Sequence, residues 1–144
     1  LEKKMKISEK EKEITAFHET GHAFVAEMLS RFYPEQVNPL YEVSINPRGR
    51  ALGLTVQLPK EDVFIIQKQK FINEIRILFG GRMGELLRFK MISTGAANDL
   101  EVATNLVRKT GCEYGMLEEL GWLTYGKRQQ PRSTCNSNPA SRRT

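Results

Sequence analysis

Apolar residues recur at helical spacing through the first quarter of the chain, which predicts an amphipathic helix. The stripe that they form is Ile14, Phe17, Gly21, Val25, Met28 and Leu29. Ser8 and Glu11 precede it with the spacing of a capping box, in which each side chain accepts a hydrogen bond from the other residue's backbone N–H. We therefore predict a first helix from about Ser8 to Arg31, with the stripe facing the interior.

Two short segments then alternate between apolar and polar residues, which is the period of a β-strand. Their apolar members are Tyr41, Val43, Ile45, Leu54, Val56 and Leu58. Residues 47–50 (PRGR) supply turn chemistry between the two segments, and Pro59 follows the second. The pattern predicts a β-hairpin with one buried face.

Two further helices are predicted after the hairpin. A helical pattern spans residues 64–79, and the glycines at 80–81 either end that helix or let it pass close to a neighbour. Ser93 or Thr94 is a suitable N-cap for the third helix, which we expect to end near Thr110. The predicted fold is therefore mainly α (α+β), with a small β-hairpin or sheet beside the first helix.

Charge changes this picture only at the carboxyl end. The formal net charge is +5, but residues 127–144 hold five basic residues and no acidic one, so the rest of the chain is neutral. A neutral globular part argues against a nucleic-acid partner. Cys112 and Cys135 lack metal or redox spacing, which favours a reducing compartment. There is no signal peptide and no spanning run of about 20 apolar residues, and the start at Leu1 suggests excision from a longer protein.

Residues 18–22 read His-Glu-Thr-Gly-His and are the candidate chemistry of the first helix. Positions i and i+4 share a helix face, so His18 and His22 can bind one metal ion. Glu19 lies about 100° round the helix and can serve as a general base, the arrangement of a zinc peptidase. The alternative is a pair of ordinary histidines on an amphipathic helix. Their place on the apolar stripe favours the metal.

A catalytic zinc ion usually has three protein ligands, and no third histidine is present. Two carboxylates are candidates, Glu85 after the glycine pair and Asp99 in the third helix. Asp99 shares a helix face with Val102, Ala103 and Leu106, and a carboxylate on an apolar face needs a partner. This argument favours Asp99, although Asp99 could instead complement the helix N-terminus. Glu85 remains the other candidate.

Several separate segments resemble, in order and spacing, the peptidase domain of the FtsH family of AAA zinc metalloproteases. The resemblance extends from about Ile7 to Tyr125. Its segments are residues 16–23 (AFHETGHA), 47–53 (PRGRALG), 80–82 (GGR), 93–100 (STGAANDL), 103–104 (AT) and 114–116 (YGM).

The resemblance implies a zinc metalloendopeptidase that hydrolyses unfolded or membrane-extracted proteins. It implies His18, His22 and Asp99 as Zn²⁺ ligands and Glu19 as the catalytic base. We add Glu85 as a candidate to orient a ligand histidine. The strand at 52–58 is a candidate to hold an extended substrate as an added strand, through Gly53, Leu54 and Thr55; the alternative is an ordinary edge strand.

The resemblance also implies partners and domain boundaries. Residues 1–7 would be a linker from an AAA ATPase module, 8–126 a soluble peptidase domain without its C-terminal helical part, and 127–144 a basic, disordered tail. Activity would depend on ATP only with that module. The parent protein would be a membrane-anchored homo-hexamer, with this domain in the cytoplasm or in an organelle matrix or stroma. The competing hypothesis is a truncated, inactive FtsH-like paralogue that acts as an assembly or interaction subunit.

Overall fold

The computed structural model describes residues 6–126, so the predicted tail and most of the predicted linker lie outside the described residues. Within these residues the fold consists of three α-helices and one antiparallel pair of strands, which confirms the mainly α prediction with a small hairpin. The elements are α1 (Glu9–Phe32), β1 (Leu40–Ser44), β2 (Leu54–Gln57), α2 (Lys68–Phe89) and α3 (Ala97–Arg108). Short turns of 3₁₀ or π-helix flank α3.

Helix α1 begins as its capping box predicts. The Glu11 backbone N–H donates to Ser8 Oγ at 3.2 Å, and the Ser8 N–H donates to Glu11 Oε2 at 3.0 Å. The buried line of the helix, however, is largely polar, and consists of Thr15, His18, Glu19, His22 and Ala26. Phe17, which we expected inside, is more than a third exposed. The apolar stripe thus lies at the margin of the buried face, and polar side chains occupy its centre.

Helix α2 starts later than predicted and does not stop at the glycines. Phe64 and Ile65 precede it and are almost fully exposed. The helix passes through residues 80–81 and ends at Phe89, and its C-cap residue Lys90 is in the left-handed conformation with φ +56°. The glycine pair therefore does not end the helix; it lets the helix pass close to a neighbour.

The close neighbour is α1. A Cβ placed on Gly80 would lie 2.6 Å from the Gly21 carbonyl oxygen, and one placed on Gly21 would overlap the Gly80 carbonyl oxygen. Gly21 meets Gly80, and eight residues earlier in α1 Glu13 forms an ion pair of 3.0 Å with Arg88, eight residues later in α2. The two helices therefore run antiparallel. Because the backbones meet at glycine, side chains on either side of the crossing are brought within bonding distance of one another.

The hairpin is confirmed, but its predicted buried face is wrong for β1. The strands pair with Val43 opposite Thr55 and Ser44 opposite Leu54. Val43 is 42% exposed, whereas the adjacent Glu42 and Ser44 are half-buried. The two strands have only five and four residues, and they pack mainly against one helix. Neither face of so small a hairpin is fully buried.

One small cluster of the apolar core lies beside the end of α1. It consists of Ala26, Val37 and Ile77, with Val25, Leu29 and Tyr33 packed around them. The largest fully buried side chains are polar, Asn73 and Glu85. Among residues 6–126, no helix combines the length and apolarity needed to cross a bilayer.

Candidate metal centre

Three side chains from two helices converge beneath the α1–α2 crossing. His18 Nε2 and His22 Nε2 are 3.0 Å apart, and Asp99 Oδ2 lies 3.1 Å from the first and 3.2 Å from the second. The histidines come from the buried line of α1. Asp99 is in the first turn of α3, which follows a 3₁₀ turn capped by the Ser93 side chain. The three atoms therefore form a nearly equilateral triangle.

The outer nitrogen of each imidazole has its own partner. His18 Nδ1 lies 2.7 Å from Glu85 Oε1, and His22 Nδ1 lies 2.7 Å from the Ile77 carbonyl oxygen. A carbonyl accepts only, and Glu85 also accepts the Ser93 N–H through its other oxygen at 3.1 Å. Each Nδ1 therefore carries the hydrogen, which leaves a bare lone pair on each Nε2 of the neutral rings.

This arrangement fits a cation. With both rings in these neutral tautomers, two nitrogen lone pairs and a carboxylate oxygen face one another, and such a buried set is costly without a positive centre. Ligands on a tetrahedral zinc ion, at about 2.0–2.1 Å, lie about 3.3 Å apart, close to the spacing of the triangle. The described residues that offer such a set are His18, His22 and Asp99.

Gly81 forms the floor of the site. A Cβ placed there would lie 2.5 Å from His22 Nε2 and 2.6 Å from His18 Nε2. A side chain at this position would occupy the space between the imidazoles. The helix crossing thus leaves this space open as well as bringing the histidines to it.

The pKa values of the site show the same demand for positive charge, which a proton on an imidazole Nε2 also meets. Burial by itself lowers the pKa of His18, but hydrogen bonds to Asp99 and then to Glu85 outweigh it and raise that pKa above its usual value. Burial would raise the pKa of Asp99, yet hydrogen bonds with the two imidazoles hold it well below its usual range. Asp99 is therefore ionised at neutral pH and supplies the negative charge of the site.

The two carboxylates that competed for the third position occupy different places. Asp99 meets both Nε2 atoms, whereas Glu85, only 2% exposed, contacts the far side of His18. The structure therefore puts Asp99 inside the triangle and Glu85 behind it.

Glu19 lies next to the triangle in sequence but faces β2. Its Oε2 accepts a hydrogen bond of 2.6 Å from Thr55 Oγ1, and a Cβ on Gly53 would lie 2.8 Å from its Oε1. The segment predicted as a substrate strand thus adjoins the predicted base. Within the described part of the chain, β2 pairs only with β1, which leaves its other edge without a strand partner.

Sequence reasoning missed three contributors to this geometry. The Ile77 carbonyl that orients His22 is a backbone group and gives no sequence signal. The hydrogen bond from Thr55 to Glu19 was not predicted, although Thr55 was named for a different reason. Gly81 was noted only as half of a glycine pair, and a neighbouring helix is needed to explain it.

Comparisons with known proteins all point to one family of peptidases. The model of Peptidase family M41 matches residues 5–144. An ATP-dependent zinc metalloprotease FtsH of Magnetococcus marinus is 50% identical over 124 residues, which are 86% of this chain and 18% of the relative. The FtsH of Acidobacterium capsulatum is 46% identical over 128 residues, covering 89% and 19%. FtsH 1 of a Thermoanaerobacter species is 48% identical over 130 residues, covering 90% and 20%. The chain spans about a fifth of the length of these curated relatives.

Proposed function

The chain belongs to peptidase family M41, and we propose from this premise that residues 8–126 form a zinc-dependent metalloendopeptidase domain. The observation that carries the proposal is the triangle of Nε2, Nε2 and Oδ2 atoms, which lie 3.0–3.2 Å from one another. The relatives named above are called zinc metalloproteases, which supports zinc as the cation.

In this proposal His18, His22 and Asp99 hold Zn²⁺. When bound, the ion supplies a Lewis acid that polarises the scissile carbonyl and acidifies a water molecule. Glu85 and the Ile77 carbonyl keep each imidazole in the tautomer that presents Nε2. Two neutral rings and one carboxylate would offset only one of the two positive charges of a bound Zn²⁺.

Glu19 carries the proton transfers. Its carboxylate accepts a proton from the attacking water and later donates that proton to the amine nitrogen of the departing peptide. Glu19 is about nine-tenths buried, in a wall formed by α1 and β2. Burial restricts exchange of that proton with bulk water.

The edge of β2 that faces away from β1 is the proposed position of the substrate. An extended peptide can add to a strand edge through main-chain hydrogen bonds, which tolerate many side-chain sequences. Gly53, Leu54 and Thr55 lie on this strand or next to it, close to Glu19. Unfolded polypeptides are the class of substrate that such an edge accepts.

The rest of the proposed function concerns the longer protein. The relatives' names describe them as ATP-dependent, so we propose that an AAA ATPase module in the parent chain delivers substrate to this domain. We further propose a homo-hexameric, membrane-anchored parent protein, with this domain in the cytoplasm or in an organelle matrix or stroma. The inactive-subunit hypothesis is not favoured, because Glu19 and the three candidate ligands are all present together.

The test measures metal and activity in the same preparation. Elemental analysis of the purified chain should give about one zinc ion per chain if the site is the four-coordinate type. Cleavage of casein or of a fluorogenic peptide should stop on chelation and return when zinc is added back. A protein that binds zinc at this site but cleaves neither substrate, with or without added zinc, would favour the inactive-subunit hypothesis.

A further inference from the structure

The hydroxyl of Thr55 is bonded to the proposed catalytic base. Thr55 Oγ1 lies 2.6 Å from Glu19 Oε2 and 3.2 Å from the Glu19 carbonyl oxygen. A hydroxyl has one hydrogen, and the shorter distance falls in the range of about 2.5–2.7 Å of a charge-assisted O–H···O⁻ bond. We propose that Thr55 is a positioning residue for Glu19, a role that rests on the function proposed above.

Gly53 completes this contact from the same face of the strand. Residues two apart share one face of a β-strand, so Gly53 and Thr55 both face α1. A Cβ on Gly53 would lie 2.7 Å from Glu19 Cγ and 2.8 Å from Oε1. The strand backbone therefore lies against the length of the Glu19 side chain, and the hydroxyl holds its far oxygen.

The two oxygens of the Glu19 carboxylate therefore have different roles. Oε2 is committed to the Thr55 hydroxyl, which leaves Oε1 to accept a proton. A glutamate side chain has several rotatable bonds, and misplacement by about 1 Å can cost a rate factor on the order of 100. One hydrogen bond from a rigid neighbouring strand removes much of that freedom.

This contact also links the base to the substrate. Thr55 pairs with Val43 in the ladder, so its backbone position is fixed by β1. The proposed substrate edge belongs to the same short strand. The same short strand therefore holds both the Glu19 side chain and an added peptide. The distance between the base and the scissile bond is then set by β2 and not by a loop.

The experiment compares three variants of Thr55 in the zinc-loaded chain with a fluorogenic peptide substrate. Thr55→Val removes the hydroxyl and keeps the shape, Thr55→Ala removes it without filling its place, and Thr55→Ser keeps it. We expect kcat to fall about tenfold to hundredfold in the first two, as part of the about 10²- to 10⁴-fold that a general base contributes. KM and zinc content should stay unchanged, and serine should restore most of kcat.

Two controls separate this role from a structural one. Thr104→Val removes another threonine hydroxyl, which bonds only the Leu100 carbonyl on the exposed side of α3, and should leave kcat unchanged. In a Glu19→Gln background, Thr55→Val should lower the residual rate far less than in the wild type, because residues that act as a unit are not additive. Melting temperatures accompany every variant.

Several results would overturn the proposal. These are an unchanged kcat in a folded Thr55→Ala protein, a rise in KM with kcat intact, and a serine variant as impaired as the valine one. If Glu19→Gln abolishes hydrolysis while the Thr55 variants are fully active, only the positioning role fails. If the zinc-loaded wild type hydrolyses nothing, the proposed function fails and the positioning role falls with it.

Discussion

Replacing Glu85 by glutamine is the most discriminating change at the metal centre. The side chain is 2% exposed, and its two oxygens accept from the His18 Nδ1–H and the Ser93 N–H. Glutamine has one acceptor and one donor group, so its NH₂ must face one of these two N–H groups. Either one buried donor loses its partner, or His18 changes tautomer and puts its hydrogen on Nε2, where the metal would bind.

The magnitude follows from these two outcomes. A buried polar group without a partner costs about 1–3 kcal/mol, and a group that orients a metal ligand typically contributes about 10- to 100-fold in affinity. At about 1.4 kcal/mol per tenfold these figures agree. We therefore expect the zinc Kd of Glu85→Gln to rise about 10- to 100-fold. Asp99→Asn removes the charge inside the triangle and should weaken binding by more than that.

The assay is a competition titration against a chromophoric zinc chelator, with the melting temperature measured in parallel. Glu101→Gln is the matched control, because it removes a carboxylate from the exposed side of α3 near Asp99. The control should bind zinc as the wild type does. If Glu85→Gln weakens binding more than Asp99→Asn does, the roles of the two carboxylates must be exchanged. An unaltered zinc affinity in both variants would refute the site itself.

Three further predictions follow from the same geometry. Glu19→Gln should retain zinc and lose hydrolysis, because an amide cannot accept the water proton; a zinc-loaded variant with wild-type turnover would contradict this. His22→Ala should lose zinc and also the rise in melting temperature that added zinc gives the wild type; an unchanged zinc-dependent rise would count against His22 as a ligand. Gly21→Ala should lower the melting temperature and the free energy of unfolding by about 1–3 kcal/mol, as overpacking does, because its Cβ would overlap the Gly80 carbonyl oxygen; equal stability would show that the helices can separate without cost.

Residue spacing alone determined the features that depend on near neighbours. Ser8 and Glu11 are three apart, and His18 and His22 four apart, so the geometry of one helix fixes both pairs. The strands of the hairpin followed from their alternation in the same way. Interactions of this range are encoded in a few consecutive residues, which is why they could be predicted.

Tertiary packing decided everything that joins distant segments. Glu85 and Asp99 are 67 and 81 residues from His18. The apolar face of its helix favoured Asp99, but only the placement of α3 shows that Asp99 meets Nε2 and Glu85 meets Nδ1. The need for glycine at 80–81 is explained only by α1, which lies against both residues. The face that β1 turns to solvent, like the bond from Thr55 to Glu19, depends on how the hairpin docks on α1. Such contacts depend on the relative placement of whole elements, and residue spacing along the chain does not specify it.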